Sequence, residues 1–408
     1  MKNDKIAYWL YLESYSFIFK GKNYHAIYNS MSGAYIKVPQ HVLINPCLDR
    51  LNKKGSGYCI RINGDLLQNA EFNAFVSQLR NTFSGDLLPV DSVPHKPFIF
   101  KPRLKIIGDA EIKEDGKTIA GRNVLKNLDE VSIYVNSLCN KNCAYCSRNY
   151  KQVLHCTCMK SKKELSLEQG MAILSQLEGI GVKQVNLLGG DLSRYLPLKD
   201  LLDILATYTC HTTVYVHISQ WESMKHYVLD KTPITFRVIV PAEAISSLSC
   251  WERNPSVEYE FLISSEEDAA RLDSVPEDII ESAEVKSIYT GDNEPFFENY
   301  VYTTWEDLLN AHLSKKDIFR KQVLNELFYG RLTILANGDT YANLNFPKLG
   351  NIFRSSLKEL VYKEMKGKGA WFYTRNRGVC KTCANRYLCA SPSNYELVLN
   401  RLDLCHCK

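Results

Sequence analysis

The 408-residue chain has no apolar run approaching the roughly eighteen residues that a membrane-crossing helix requires. It has no low-complexity tract, and no internal repeat beyond an alternation of strand-like and helix-like segments. It also has little net charge. Fifty Lys and Arg against forty-five Asp and Glu leave +5, too little over this length for the cationic footprint of a nucleic-acid or anionic-membrane binder. The start, MKNDKIAYWLYLESYSF, lacks the basic-then-apolar order and small-residue cleavage site of a signal peptide, so the expected location is cytoplasmic. With 45% hydrophobic and 23% charged residues, general disorder is excluded, and the length allows two or three domains at about 150 residues each.

What the chain does have is cysteine. Five of its fourteen cysteines lie between Cys139 and Cys158 and five between Cys380 and Cys407. In a reducing compartment such bunches point to metal binding or redox work rather than disulfides. Cys47, Cys59, Cys210 and Cys250 stand apart and read as buried thiols without a special role.

Residues 1–86 read as one unit. Aromatic and β-branched runs at Tyr8 to Phe19, His25 to Tyr28 and Ala34 to Val38 predict three strands. Helical patterns follow, one with Val42, Ile44 and Leu48 and one with Phe72, Phe75, Val76 and Leu79. Pro89, Pro94, Pro97 and Pro102 forbid a regular helix and open a linker and bridging segment over 87–130, which includes a turn at Glu114-Asp115-Gly116.

From Val131 to residue 329 strands and helices alternate. Strands are expected at Val131 to Val135, Gln184 to Leu188, Thr213 to Ile218, Thr235 to Val240, Val257 to Ile263 and Val285 to Tyr289. Helices are expected at Leu167 to Leu177, Leu198 to Leu205, Glu222 to Leu229 and Glu266 to Leu272. This is an α/β pattern with a parallel sheet. Six strands fit a partial (β/α)6 barrel, and a doubly wound sheet would give much the same string. In either case ligands gather at the carboxyl ends of the strands. A last unit, 330–408, opens with a hairpin turning at Asn337-Gly338, followed by a helix from Leu357 to Glu364.

Cys139, Cys143 and Cys146 follow the first strand of the alternating unit at C-x3-C-x2-C spacing. Three thiolates can hold a cubane whose fourth iron stays open. Zinc with a further donor such as His155, Cys156 or Cys158 is the structural alternative. The segment resembles the hallmark loop of the radical SAM superfamily, in which an aromatic, here Tyr145, precedes the third cysteine. The resemblance implies a [4Fe-4S] cluster on these three cysteines that chelates S-adenosyl-L-methionine and cleaves it reductively. Gly189-Gly190-Asp191, after the second strand, is in itself an ordinary glycine-rich turn. It resembles the family's methionine-binding Gly-Gly-Glu segment, with Asp in place of Glu. The fourth strand, TFRVIVPAE, departs from the family's cofactor-contacting ending. There Arg237 is either a donor to the cofactor carboxylate or a salt-bridged residue at the sheet margin.

The tail places Cys380, Cys383 and Cys389 at C-x2-C-x5-C, followed by Cys405 and Cys407. Spacing alone accepts a zinc ribbon or an iron–sulfur cluster. With LGNIFRSSLKEL before it, the tail resembles the SPASM extension of radical SAM peptide maturases. One auxiliary site of that extension is missing, because Asn343 stands where a hairpin cysteine would. The resemblance implies one auxiliary [4Fe-4S] cluster on Cys380, Cys383, Cys389 and either Cys405 or Cys407, with His406 a bystander.

The first unit has no candidate catalytic cluster. It resembles the winged-helix RiPP recognition element that binds leader peptides, on the stretch FKGKNYHAIYNSMSGAYIKV. Its strand Ala34 to Val38 could pair with an extended peptide. DNA binding by this unit lacks an arginine-rich recognition helix, and a structural cap is the plain alternative. The combined resemblance implies a peptide maturase acting on a ribosomally synthesised precursor, with a reductant protein as second partner and neither nucleic acid nor membrane as a ligand. Its rivals are a degenerate pseudo-radical-SAM protein that binds the precursor without catalysis, and a zinc-stabilised peptide-binding adaptor.

Overall fold

The computed structural model describes residues 6–99, 123–141, 143, 145–146, 148–155, 163–228, 233–246, 248 and 251–407. Cys156, Cys158, Cys250, Pro102 and the Glu114-Asp115-Gly116 turn lie outside the described residues.

The run Tyr8 to Phe19, expected as a single strand, is two. β1 (Ala7–Leu12) and β2 (Ser16–Lys20) are separated by a turn in which the Ser16 N–H donates to Glu13 O. β3 (Tyr24–Asn29) and β4 (Tyr35–Pro39) complete an antiparallel sheet in the order β2-β3-β4. β1 belongs to a second sheet, between β5 (Cys59–Asn63) and β6 (Gly85–Pro89). β6 carries this unit past residue 86. Two helices pack between the sheets, α1 (Ile44–Asn52) and α2 (Ala70–Asn81). Ile44, Leu48, Phe72, Phe75, Val76 and Leu79 are buried as their spacing predicts, in one core with Leu10, Ile18, Ile27 and Ile36. Val42, expected on the first helix, precedes it and is 80% exposed.

The other face of β2-β3-β4 is not open. Phe17, Phe19, Tyr24, Ala26 and Tyr28 pack against Leu308, Ile318, Ala384, Leu388 and Cys407. Asn385, fully buried, donates to the Tyr24 hydroxyl at 2.8 Å and accepts from the Tyr35 hydroxyl at 2.8 Å. Gly21, at the turn between β2 and β3, has its Cα so close to Ala384 that a Cβ would meet that methyl at 2.8 Å. The first unit and the cysteine-rich tail therefore share a core.

The large sheet has nine strands in the order β12-β11-β10-β9-β8-β7-β13-β14-β15. β7 (Glu130–Tyr134), β8 (Gln184–Leu188), β9 (His211–His217), β10 (Ile234–Pro241), β11 (Val257–Ile263) and β12 (Glu284–Ser287) are parallel neighbours in chain order. A doubly wound sheet would reverse order at a switch point, and this one does not. β8 and β11 match their expected limits, as do helices Leu167–Leu177 and Leu198–Leu205. The helix expected over Glu222 to Leu229 instead runs Ile218–Met224 and tightens to a 3-10 turn at Lys225–Tyr227. Past β12 the chain forms helices at Glu294–Val301, Trp305–Asn310 and Lys315–Val323, which periodicity did not single out. β13 (Arg331–Ile334) adds to β7 in parallel, and the hairpin returns through β14 (Asp339–Tyr341) to β15 (Gly350–Asn351).

The tail is held at both ends. Thr303 bridges Cys405, its N–H donating to Leu404 O and its carbonyl accepting from His406 N–H, each at 3.0 Å. Asn325, fully buried, donates to Tyr373 O and Pro392 O. Replacing Asn385 with Ala removes a hydrogen-bond partner from both the Tyr24 and the Tyr35 hydroxyl, which then keep only each other inside the shared core. The expected loss is about 1–3 kcal/mol of unfolding free energy, read from urea midpoints; an unchanged midpoint would mean that the two ends of the chain do not depend on each other.

Candidate functional site

Alternation along the parallel strands directs every second side chain to the inner face of the sheet. In the upper part, towards the carboxyl ends, Tyr134, Leu188, Tyr215, Ile239 and Leu262 form one apolar cluster with Tyr145 and Val153, and Cys143 packs against it. Below that layer the inner face is polar. A cavity of about 760 Å3 is bordered by Glu130, Asn186, Thr213, Arg237, Glu258 and Lys286, and closed on its other side by Asn343, Asn394 and Tyr395 from the last unit.

Directly beyond the carboxyl end of β7, Asn136 is fully buried and acts as a bracket. Its Nδ2 donates to Asp191 O at 2.8 Å and its Oδ1 accepts from Gly190 N–H at 2.9 Å. The Gly190 carbonyl in turn accepts from Gln220 Nε2 at 3.1 Å. The bracket presses the Gly-Gly-Asp turn onto the cysteine loop so closely that a Cβ on Gly190 would lie 2.2 Å from Leu138 O and 2.7 Å from Cys139 N. Only glycine fits there. The Asp191 carboxylate is engaged in its own turn, accepting from Ser193 N–H at 3.2 Å and from the Ser193 hydroxyl at 2.6 Å.

Cys139 is exposed, whereas Cys143 and Cys146 are half-buried, and the Cys146 N–H donates to Cys143 O at 3.0 Å. Burial raises the Cys143 thiol above its ordinary value, and the neighbouring Cys139 adds to the rise against the opposing contact from Tyr145. The Tyr145 hydroxyl reaches His155 Nε2 at 3.4 Å. His155 Nδ1 stands 3.0 Å from Glu260 Oε1, without the alignment of a hydrogen bond. Glu260 is completely buried; burial alone would raise its pKa, but His155 and Lys286, whose Nζ is 2.7 Å from Oε2, outweigh that and hold the carboxyl below its usual range.

Arg237 does not face the cysteine loop. Its guanidinium donates to Glu258 at 2.7 and 3.1 Å and to Glu284 at 3.0 Å, and lies over the Tyr215 ring. It borders the polar cavity one inward-facing position before Ile239 of the apolar layer. Of its two expected roles, the structure places it in the salt-bridged one.

In the tail, Cys380 donates to Leu402 O at 3.0 Å and accepts from Arg375 Nη1 at 3.8 Å. Cys383 accepts from the Asn385 N–H at 3.4 Å. Burial pushes the Cys389 thiol up to about 12 against the pull of Arg375, and the Cys407 thiol up to about 11, with Cys405 and Cys383 adding in both cases. Cys380, Cys383 and Cys389 thus lie within reach of the buried Arg375 guanidinium, and Cys383 and Cys405 act on both Cys389 and Cys407. His406 turns outward, 3.8 Å from Glu298.

Among the described residues, no group of three or more His, Cys, Asp or Glu side chains is arranged to hold a metal ion. What fits an iron–sulfur group is donor chemistry and chain position. At β7 three thiols share one loop under a cradle that a single Cβ would fill, and in the tail Cys380, Cys383 and Cys389 lie near the Arg375 guanidinium. No described helix is long and apolar enough to cross a membrane.

No protein-family model matches the chain, and no curated protein matches it in sequence. Among solved structures it is similar to Streptococcus suis SuiB bound to precursor peptide SuiA, at 13% identity over 97% of this chain and 98% of that one, with a TM-score of 0.43. It is similar to Streptococcus suis SuiB bound to S-adenosylmethionine, at 14% identity over 97% of each chain and a TM-score of 0.41. A third likeness is to a hexahistidine-tagged anSMEcpe with bound AdoMet, at 13% identity over 67% of this chain and 92% of that one, with a TM-score of 0.35. Likeness at these scores carries no functional argument, which falls to the chain's own residues.

Sequence reasoning missed Asn136, Glu260, Lys286 and His217. The available signal was polar residues at every second position of β7, β8, β9, β11 and β12, where a sheet covered on both faces should be apolar throughout. His217, ending β9, caps the next helix through Nδ1, which accepts from the Ser219 N–H at 3.2 Å. Burial, with Lys141 and His155 nearby, pushes its pKa down to about 4. The unfolded imidazole, near 6.5, takes a proton that the folded one refuses, so this contribution to stability falls as pH drops from about 6.5 towards 4. His217→Asn keeps an acceptor for Ser219 without the titration. Urea midpoints should therefore vary less steeply with pH in the variant than in the parent over that window, and equal slopes would remove His217 as the cause.

Proposed function

We propose that the chain is a radical SAM peptide maturase, modifying a ribosomally synthesised precursor peptide. The observation that carries the reading is the joint placement of Cys139, Cys143 and Cys146 at the carboxyl end of the first parallel strand, with the Gly190 backbone locked against them by Asn136. Cys139, Cys143 and Cys146 would hold a [4Fe-4S] cluster, and such a cluster supplies one electron for reductive cleavage of S-adenosylmethionine. The chain's own residues would do the rest. The aromatic and aliphatic layer from Tyr134 to Leu262 excludes water beneath the loop, and the Tyr134 hydroxyl ties that layer to Leu154 O. Cys380, Cys383 and Cys389, with Cys405 or Cys407, would hold the auxiliary cluster of a shortened SPASM-like unit, and residues 1–86 would serve as a winged-helix-like reader of the leader.

One observation favours a second reading, a precursor-binding protein that does not cleave the cofactor. The Asp191 carboxylate, shorter than the family's Glu, commits one oxygen, Oδ1, to Ser193. Anaerobic reconstitution separates these readings and the zinc-stabilised adaptor. About eight irons per chain with matching sulfide are expected, falling by about four in Cys143→Ala and by about four in Cys389→Ala. With dithionite and S-adenosylmethionine, the parent should yield 5′-deoxyadenosine and Cys143→Ala none. Full iron without that product would favour the non-catalytic reading, and zinc alone would sink both iron–sulfur readings.

A further inference from the structure

The tail thiols come from three stretches of chain. Cys380 and Cys383 lie in and just after the 3-10 turn Gly378–Thr382, Cys389 follows in the next loop, and Cys405 and Cys407 come from the last residues. One guanidinium touches all three stretches. Arg375 donates through Nε to Ala390 O, next to Cys389, and through Nη1 to Leu402 O at 3.0 Å, shortly before Cys405. The same Nη1 lies 3.8 Å from the Cys380 sulfur. Glu396 balances its charge at 2.7 Å, and the two side chains are only 9% and 3% exposed.

A second buried cation reaches the group from outside the tail. Lys321, on helix Lys315–Val323, donates to Cys389 O at 3.0 Å, and its side chain is 9% exposed. Glu326 stands 3.8 Å from its Nζ, too far for a hydrogen bond. A carbonyl is satisfied by any neutral N–H or by water, whereas burying an ammonium is costly unless negative charge lies close by. Arg386, less deeply placed, donates through Nη1 to Cys383 O at 3.1 Å. Glu396 offsets Arg375 at Cys380, but the guanidinium still favours the charged form of Cys380, Cys383 and Cys389 alike. Positive charge is therefore in excess around these thiols.

Four thiolates around an oxidised [4Fe-4S] core carry two net negative charges, and one added electron makes three. A fixed cation stabilises the reduced state more than the oxidised one, and in a low-dielectric interior salt screens that difference poorly. We propose that Arg375 and Lys321 are positioning residues that make the tail thiols an electron-accepting centre. They fix the segments that carry the ligands and raise the reduction potential of the cluster held there. This role rests on the auxiliary-cluster reading above. No bond forms or breaks in the step concerned: one electron enters the cluster, and in the test below dithionite is oxidised to supply it. A closed zinc site would gain affinity from the same cations but would have no potential to shift.

The test uses the full-length Cys143→Ala protein, in which about four irons are expected on the tail alone. The midpoint is measured by dithionite titration with mediator dyes, following the electron paramagnetic resonance signal of the reduced cluster. Lys321→Gln should lower it by the equivalent of at least a tenfold change in the reduction equilibrium, about 59 mV for one electron. Lys321→Arg, which keeps the charge, should hold the parent value. R375Q/E396Q, which removes the guanidinium without leaving a buried carboxylate unpaired, should shift the midpoint in the same direction as Lys321→Gln. Iron lost from Lys321→Gln but kept by Lys321→Arg would also support the charge role. An unchanged midpoint in Lys321→Gln with its iron intact, or a drop in Lys321→Arg as large as in Lys321→Gln, would overturn it. An unshifted R375Q/E396Q would remove Arg375 from it. Absence of iron from the Cys143→Ala protein itself would instead defeat the auxiliary-cluster reading, and this role with it.

Discussion

The sheet β2-β3-β4 is buried on both faces, and that constraint organises the molecule. One face closes on α1 and α2, as the sequence of any small α+β unit would require. The other presents Phe17, Phe19, Tyr24 and Tyr28, too much aromatic surface to leave in water. It is covered by Leu308, Ile318, Ala384, Leu388 and Cys407, remote in sequence, with Asn385 as the polar pin between two tyrosines. The position of the tail cysteines follows from this, because Ala384, Leu388 and Cys407 are in the same packed layer. The tail thiols and the sheet of the first unit are thus neighbours by packing, although they are remote in sequence.

The alternating unit was legible because parallel strands covered by helices leave long apolar runs between amphipathic segments. VEYEFLI and QVNLL could be bounded from their composition alone. The first unit was harder. CIRIN and GDLLP are too short to show a period, and Glu13-Ser14-Tyr15 gives little warning of the turn that splits the first run. Both strands exist because β1 pairs with them, which is a tertiary fact. The late helices past β12 have the same character, being short elements fixed by what they cover.

The site divides in the same way. Chain position alone put the cysteine loop at a strand end, and the glycine pair was visible as a turn. Why the second glycine must be glycine was not visible, since the reason is the Leu138 carbonyl beneath it. Arg237 shows the reverse case. Two roles fitted the residue equally well in one dimension, and the deciding partners, Glu258 and Glu284, come from strands whose register no local pattern specifies. The chain from Tyr145 through His155 and Glu260 to Lys286 likewise joins four separate segments, each ordinary in sequence.

The shared core also sets an order of events during synthesis. Domains generally fold as the chain emerges, amino-terminal units first. Here β2, β3 and β4 can close on α1 and α2 soon after they are made, but the face bearing Phe17, Phe19 and Tyr28 must wait for Ala384, Leu388 and Cys407, which are made much later. The growing chain therefore carries a partly uncovered aromatic sheet until residues 384–407 have been made, and a unit whose strands form early is completed only then.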